Sequence, residues 1–123
     1  MTRVLMVAAG GALGAAARYA VALAVATFWR REFPLATFLI NVSGSFILGF
    51  FATWGAERAN IDPLLRLLVA TGFLGAFTTF STFEHETQRL TESGAVGWAV
   101  LNVVASVLAG FAAVQLGVAL ARR

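Results

Sequence analysis

This chain has no cysteine, so it holds no disulfide and no thiolate site, and the redox state of its compartment leaves no mark on it. Charge is scarce as well: 12% of residues are charged and 59% are hydrophobic, whereas soluble proteins are about 25% charged. No basic face is present, which excludes nucleic-acid binding. No glycine-rich phosphate-binding loop is present either, so ATP-driven work is not expected. The segments between apolar runs are too short for a soluble domain or a nucleotide site. His85 stands between Glu84 and Glu86 without a second ligand one turn away, which is not a metal site. The first apolar run is too long for the core of a cleaved signal peptide, and more runs follow it.

The few charges sit at the edges of long apolar runs. Arg3 is followed by an apolar stretch to Phe28, interrupted only by Arg18 and closed by Arg30, Arg31 and Glu32. Phe33 to Gly55 carries no charge, and Glu57, Arg58, Asp62 and Arg66 follow. Leu67 to Phe83 is uncharged until Glu84 and Glu86, and Ser93 to Ala121 until Arg122 and Arg123. A bilayer-crossing helix needs about 20 apolar residues. The pattern therefore predicts an all-α integral membrane protein with four spans, roughly 4–28, 34–56, 64–90 and 94–121. A soluble helical bundle would need polar faces that these runs lack.

Orientation is weakly specified. Arg3, Arg58, Arg66, Arg122 and Arg123 fall on one side of a four-span chain, and Arg30, Arg31 and Arg89 on the other. Five against three is a slight bias under the positive-inside rule. A chain so balanced can insert both ways up and pair antiparallel with itself, a symmetry that inverted repeats give other transporters. The plainer alternative is one N-in orientation, with Glu32 offsetting its neighbouring arginines.

Small and polar residues mark the helix faces that meet. Gly10, Gly14 and Arg18 share one stripe at fourfold spacing, as do Thr37, Asn41 and Ser45, and Asn102, Ser106 and Gly110, which Gly117 extends. Such stripes let membrane helices approach closely and hydrogen-bond across the seam. Asn41 stands apart, because an amide inside an uncharged span is costly without partners. Arg18 has two readings: it snorkels to the interface beside Tyr19, or it lends positive potential to the mouth of an anion path.

Residues 75–83, Gly-Ala-Phe-Thr-Thr-Phe-Ser-Thr-Phe, set hydroxyls among phenylalanines inside the third run. Thr and Ser compete for backbone hydrogen bonds and weaken helix interiors. Irregular backbone at membrane depth survives only inside protein or along a wet cavity. A break near residues 75–79 that handles something small and polar is the expectation.

Three segments carry a resemblance. Gly10-Gly11-Ala12-Leu13-Gly14-Ala15-Ala16-Ala17-Arg18-Tyr19, Thr37-Phe38-Leu39-Ile40-Asn41-Val42-Ser43-Gly44, and Gly72-Phe73-Leu74-Gly75-Ala76-Phe77-Thr78-Thr79-Phe80-Ser81-Thr82-Phe83 resemble motifs of the CrcB/Fluc fluoride channels. The likeness runs over the whole chain; Ala36 and Ala76 stand where that family often has glycine. It implies an antiparallel, dual-topology homodimer in the cell membrane that passes fluoride outward and relieves its toxicity. It places Phe80 and Phe83 as rings lining the fluoride path, with Asn41 donating an amide hydrogen bond. Thr37, Thr79, Ser81, Thr82 and Ser106 resemble the polar residues that continue that path. Arg18 and Glu86 resemble vestibule residues. Gly75 and Thr78 resemble break residues whose carbonyls hold a structural Na⁺ on the dimer axis.

Two other functions compete. A small multidrug-resistance-type proton antiporter also has four spans, but it needs a carboxylate within the membrane, conventionally in the first span. Here that span has Arg18 and no acid. A non-transporting assembly subunit would not need the run of hydroxyls and rings.

Overall fold

The structure, a computed structural model, describes residues 1–57 and 60–123; Arg58, counted above for orientation, lies outside the described residues. Four helical spans run Thr2–Phe28, Leu35–Glu57, Pro63–Glu92 and Val96–Arg122, within a residue or two of the expected boundaries. The first, second and fourth are continuous helices: α1 (Thr2–Phe28), α2 (Leu35–Glu57) and α6 (Val96–Arg122). Each carries large apolar side chains on its outer surface, among them Leu13, Leu23, Leu48, Leu108, Phe111 and Leu116. In water such a surface would be untenable; in hydrocarbon it is the solvated face. This is a multi-pass membrane protein.

Local signals set the ends. Asp62 caps the third span by accepting the Leu64 N–H at 2.7 Å, with Pro63 at the first helical position. After Glu92 the chain turns through Gly94 at φ 82°, with Ala95 N–H on the Leu90 carbonyl at 2.9 Å and Gly94 N–H on that of Thr91 at 3.1 Å. That paired closure needs a left-handed residue, which glycine supplies without a Cβ penalty. At the opposite end of the bundle Arg122 forms an exposed ion pair with Glu57 at 3.0 Å. It ties the C-terminal end of α2 to the C-terminal end of α6, as the parallel course of these two helices requires.

The third span is built in pieces. It begins as α3 (Pro63–Arg66), winds as a π-helix over Leu67–Leu74, continues as α4 (Gly75–Phe77) and resumes as α5 (Phe80–Glu92). Nothing in the apolar pattern of Leu67–Leu74 distinguishes this π-helical stretch from an α-helix. The stretch packs on α1, and α2 packs on α6. Both seams rest on glycine. A methyl at Gly10 would overlap the Leu68 carbonyl, one at Gly14 the Phe73 carbonyl, and one at Gly117 the Phe46 carbonyl. A methyl on Gly49 would lie 2.6 Å from the Val114 carbonyl oxygen. The stripes of Gly10, Gly14 and Gly117 are therefore packing seams. Gly110 is different: a methyl there meets only Ser45 Oγ, at 3.8 Å.

Candidate ion pathway at the break in the third span

The break is narrower than expected. Gly75–Phe77 stays helical, and only Thr78 (ψ 155°) and Thr79 (φ −150°, ψ 116°) leave the helical region. Inside a membrane the freed backbone groups need partners, and a side chain from α2 provides them. Asn41 Oδ1 accepts the Thr79 N–H at 2.8 Å, while Asn41 Nδ2 donates to the Thr79 carbonyl at 2.9 Å. The amide stands in for a neighbouring peptide unit and pairs both polar groups of one residue. The Thr79 hydroxyl then caps α5, accepting the Thr82 N–H at 3.3 Å and donating to Thr82 Oγ1 at 3.0 Å. Thr78 folds back, its N–H and hydroxyl both on the Leu74 carbonyl at 3.1 and 2.9 Å. Gly44 makes room for this turn, because a methyl there would overlap Thr78 Cγ2. The sequence showed Gly44 only as a small residue near the Asn41 stripe; its cradle role depends on where the break lands.

Those bonds leave two carbonyls without their helical donors. A continuous helix would pair the Gly75 carbonyl with the residue 79 N–H and the Thr78 carbonyl with the residue 82 N–H. Here both N–H groups are turned to side chains.

A groove of about 350 Å³ opens beside the break. It gathers Asn41, Ser45, Gly75, Thr78, Thr79, Phe80, Phe83 and Ser106 from three spans, and no charged side chain lines it. The Phe80 and Phe83 rings meet at 5.8 Å between centroids, tilted by 44°. Their exposure differs sharply: Phe80 is 74% exposed on the outer surface, and Phe83 only 7%. The first turn of α5 begins at this groove, and amide groups there lack intrahelical acceptors. The helix end is thus partially positive, as are the ring edges. Amide, hydroxyl, helix end and ring edges all offer positive density to a small anion.

The remaining expected residues lie elsewhere. Ser81 and Thr82 are exposed on α5. Thr37 is buried and donates to Glu86 Oε1 at 2.9 Å, and Glu86 Oε2 is buried without a partner. Glu86 lines a second cavity of about 580 Å³ with Glu32 and Arg89, at the end of the bundle where the first and third connections meet. Thr79, Thr82 and Glu86 follow one another along α5 at spacings of three and four, so a line of polar groups leads from the break to that cavity. Arg18 is half-buried on α1 and lines neither cavity. Asn102, read from the sequence only as part of a packing stripe, turns out to be a fully buried amide beside the groove wall.

The family model described as CrcB-like protein, Camphor Resistance (CrcB), matches residues 5–118. The chain belongs to the CrcB family. It is 45% identical over 119 residues to a fluoride-specific ion channel FluC of Acidobacterium capsulatum, covering 97% of this chain and 95% of that one. It is 47% identical over 122 residues to the protein of that name from Methylobacterium sp., covering 99% and 98%. A FluC of Prosthecochloris aestuarii is 43% identical over 119 residues, covering 97% and 92%. These CrcB relatives are named as channels, not as enzymes, over nearly their whole lengths. The resemblance first carried by three motifs thus extends across the chain.

Proposed function

We propose that this chain is a passive, fluoride-selective channel that exports fluoride across the cell membrane and so relieves its toxicity. The observation that carries the reading is the break itself, where hydrogen-bond donors and ring edges converge on an uncharged groove in a chain whose CrcB relatives are fluoride channels. Fluoride holds its hydration tightly, so a path must replace water with donors at each step. Asn41 keeps one amide hydrogen beyond the one given to Thr79. Phe80, Phe83 and Ser106 line the same space. Thr79, Ser81 and Thr82 continue the hydroxyl line along α5 toward Glu86 and Thr37; Arg18, which lines neither cavity of one chain, is assigned by the family resemblance alone to the vestibule of the assembled path.

The working unit in this reading is an antiparallel homodimer. The groove opens on the chain's outer surface, Phe80 projects from it, and α5 exposes Ser81, Thr82, His85 and Gln88 where a lipid-facing half-helix would be apolar. A second copy would cover them. The same surface bears on Na⁺. The Gly75 and Thr78 carbonyls, deprived of their helical donors, are hard oxygen ligands of the kind such a cation takes. Bound there, Na⁺ would supply fixed positive charge holding two copies of the break together.

A proton antiporter is the poorer fit. Of the three acids in the third span, Glu84 and Glu92 are exposed and Glu86 pairs with Thr37 near the start of α2, at the end of the bundle rather than its middle. Reconstitution into liposomes loaded with fluoride or chloride decides between the readings. The channel reading requires rapid fluoride efflux without a proton gradient and little chloride efflux. Fluoride movement that stops when the proton gradient is collapsed would instead favour exchange.

A further inference from the structure

Asn102 is 1% exposed in the interior of an apolar span, and no step of the proposed path uses it. A buried amide is costly unless paired, and leucine would fill similar volume with nothing to satisfy. Its bonds are directional. Asn102 Nδ2 donates to Thr87 Oγ1 at 2.9 Å, and the Thr87 hydroxyl donates its single hydrogen to the Phe83 carbonyl at 2.9 Å. Asn102 Oδ1 accepts from Ser106 Oγ at 3.4 Å. Phe83 and Ser106 both line the groove. One amide therefore braces two parts of the groove wall from behind: the turn of α5 that carries the buried ring, and the hydroxyl on α6. A hydroxyl has one hydrogen, so while Ser106 donates to Asn102 it turns only lone pairs elsewhere. An anion beside Ser106 has to draw that hydrogen away, and at 3.4 Å the hold on it is weak.

We propose that Asn102 is a positioning residue of the ion path. It seats the Phe83 ring through Thr87 and holds the Ser106 hydrogen until a small anion takes it. This rests on the channel reading, and it adds a residue that touches no ion.

Two variants and their combination test it: Asn102→Leu, which removes both bonds, and Thr87→Val, which removes only the relay to Phe83. Each is reconstituted at equal amounts of normally assembled protein, and a fluorine-labelled phenylalanine at position 83 reports the ring's surroundings. The expected result is at least about a fivefold loss of fluoride flux for Asn102→Leu and a smaller loss for Thr87→Val. The double variant should be no worse than Asn102→Leu alone, because both act through one chain of bonds. The fluorine resonance of position 83 should shift in both single variants. Wild-type flux in assembled Asn102→Leu, losses that multiply in the double variant, or an unmoved resonance would each overturn the proposal. Should Asn102→Leu fail to assemble, Thr87→Val decides alone, its resonance and flux read in the same way. A wild-type protein that passes no fluoride would overturn the channel reading instead. The resonance does not depend on transport and would still decide whether Asn102 seats the ring.

Discussion

Asn41 has two tasks at one atom group. Its amide satisfies the N–H and carbonyl of Thr79, and its second amide hydrogen is the donor proposed for the ion. An aspartate would accept from the Thr79 N–H but would set a carboxylate against the Thr79 carbonyl, so the residue type follows from the break as much as from the ion. Phe80 and Phe83 separate these roles more cleanly. Phe83 is buried, so Phe83→Ala opens a cavity and is expected to cost about 3–5 kcal/mol of stability. Phe→Ile roughly keeps volume while removing the ring edge. Phe80→Ile and Phe83→Ile are each expected to assemble normally and to lose at least about tenfold in fluoride flux, a barrier change near 1.4 kcal/mol. Liposome efflux beside a size-exclusion profile checks both halves. Wild-type flux from a well-assembled double Ile variant would remove the rings from the path.

Among the elements, the third span carries the specialised structure and the others hold it. α1 meets the π-helical stretch through Gly10, Gly14 and Gly72, with a methyl on Gly72 lying 2.8 Å from the Val7 carbonyl oxygen. The obstacle in each case is backbone, which cannot rotate away as a side chain can. Gly10→Val, Gly14→Val and Gly117→Val are expected to destabilise by about 1–3 kcal/mol or more through forced separation of the helices. Gly110→Ala should be close to neutral, since its methyl reaches only ordinary contact. The amount of detergent-stable folded protein after graded heating measures the contrast. Equal losses at Gly14 and Gly110 would mean that the seams do not set the helix spacing. The glycine stripes were visible in the sequence because close approach demands a missing side chain. The π-helical winding was not, since Leu67–Leu74 is as apolar as any buried α-helix.

At the scale of the molecule, the arginines at the two ends of the bundle are nearly balanced, and the groove opens outward. Both features suit two copies related by an axis in the membrane plane. Cysteines introduced singly at Thr2 and at Ser93, on opposite ends of the bundle, should each be labelled partly from either side of the membrane in cells. A crosslink between one copy's Thr2 end and another's Ser93 end should form in the same preparations. Every copy labelled with its N-terminus on one side would sink the antiparallel dimer.

The four spans, the glycine seams and the existence of a break were determined by the sequence itself. Each follows from local rules of hydropathy, side-chain size and hydroxyl competition that act on residues close in the chain. Which residues the break releases, and what then holds them, was decided only in three dimensions. Asn41 reaches Thr79 across 38 positions, Thr37 reaches Glu86 across 49, and Asn102 reaches Thr87 across 15. No periodicity encodes such pairs, because a hydrogen bond is satisfied by whichever group the packing brings within about 3 Å. The two-residue break and the bracing of Phe83 by Asn102 are therefore properties of the assembled helices.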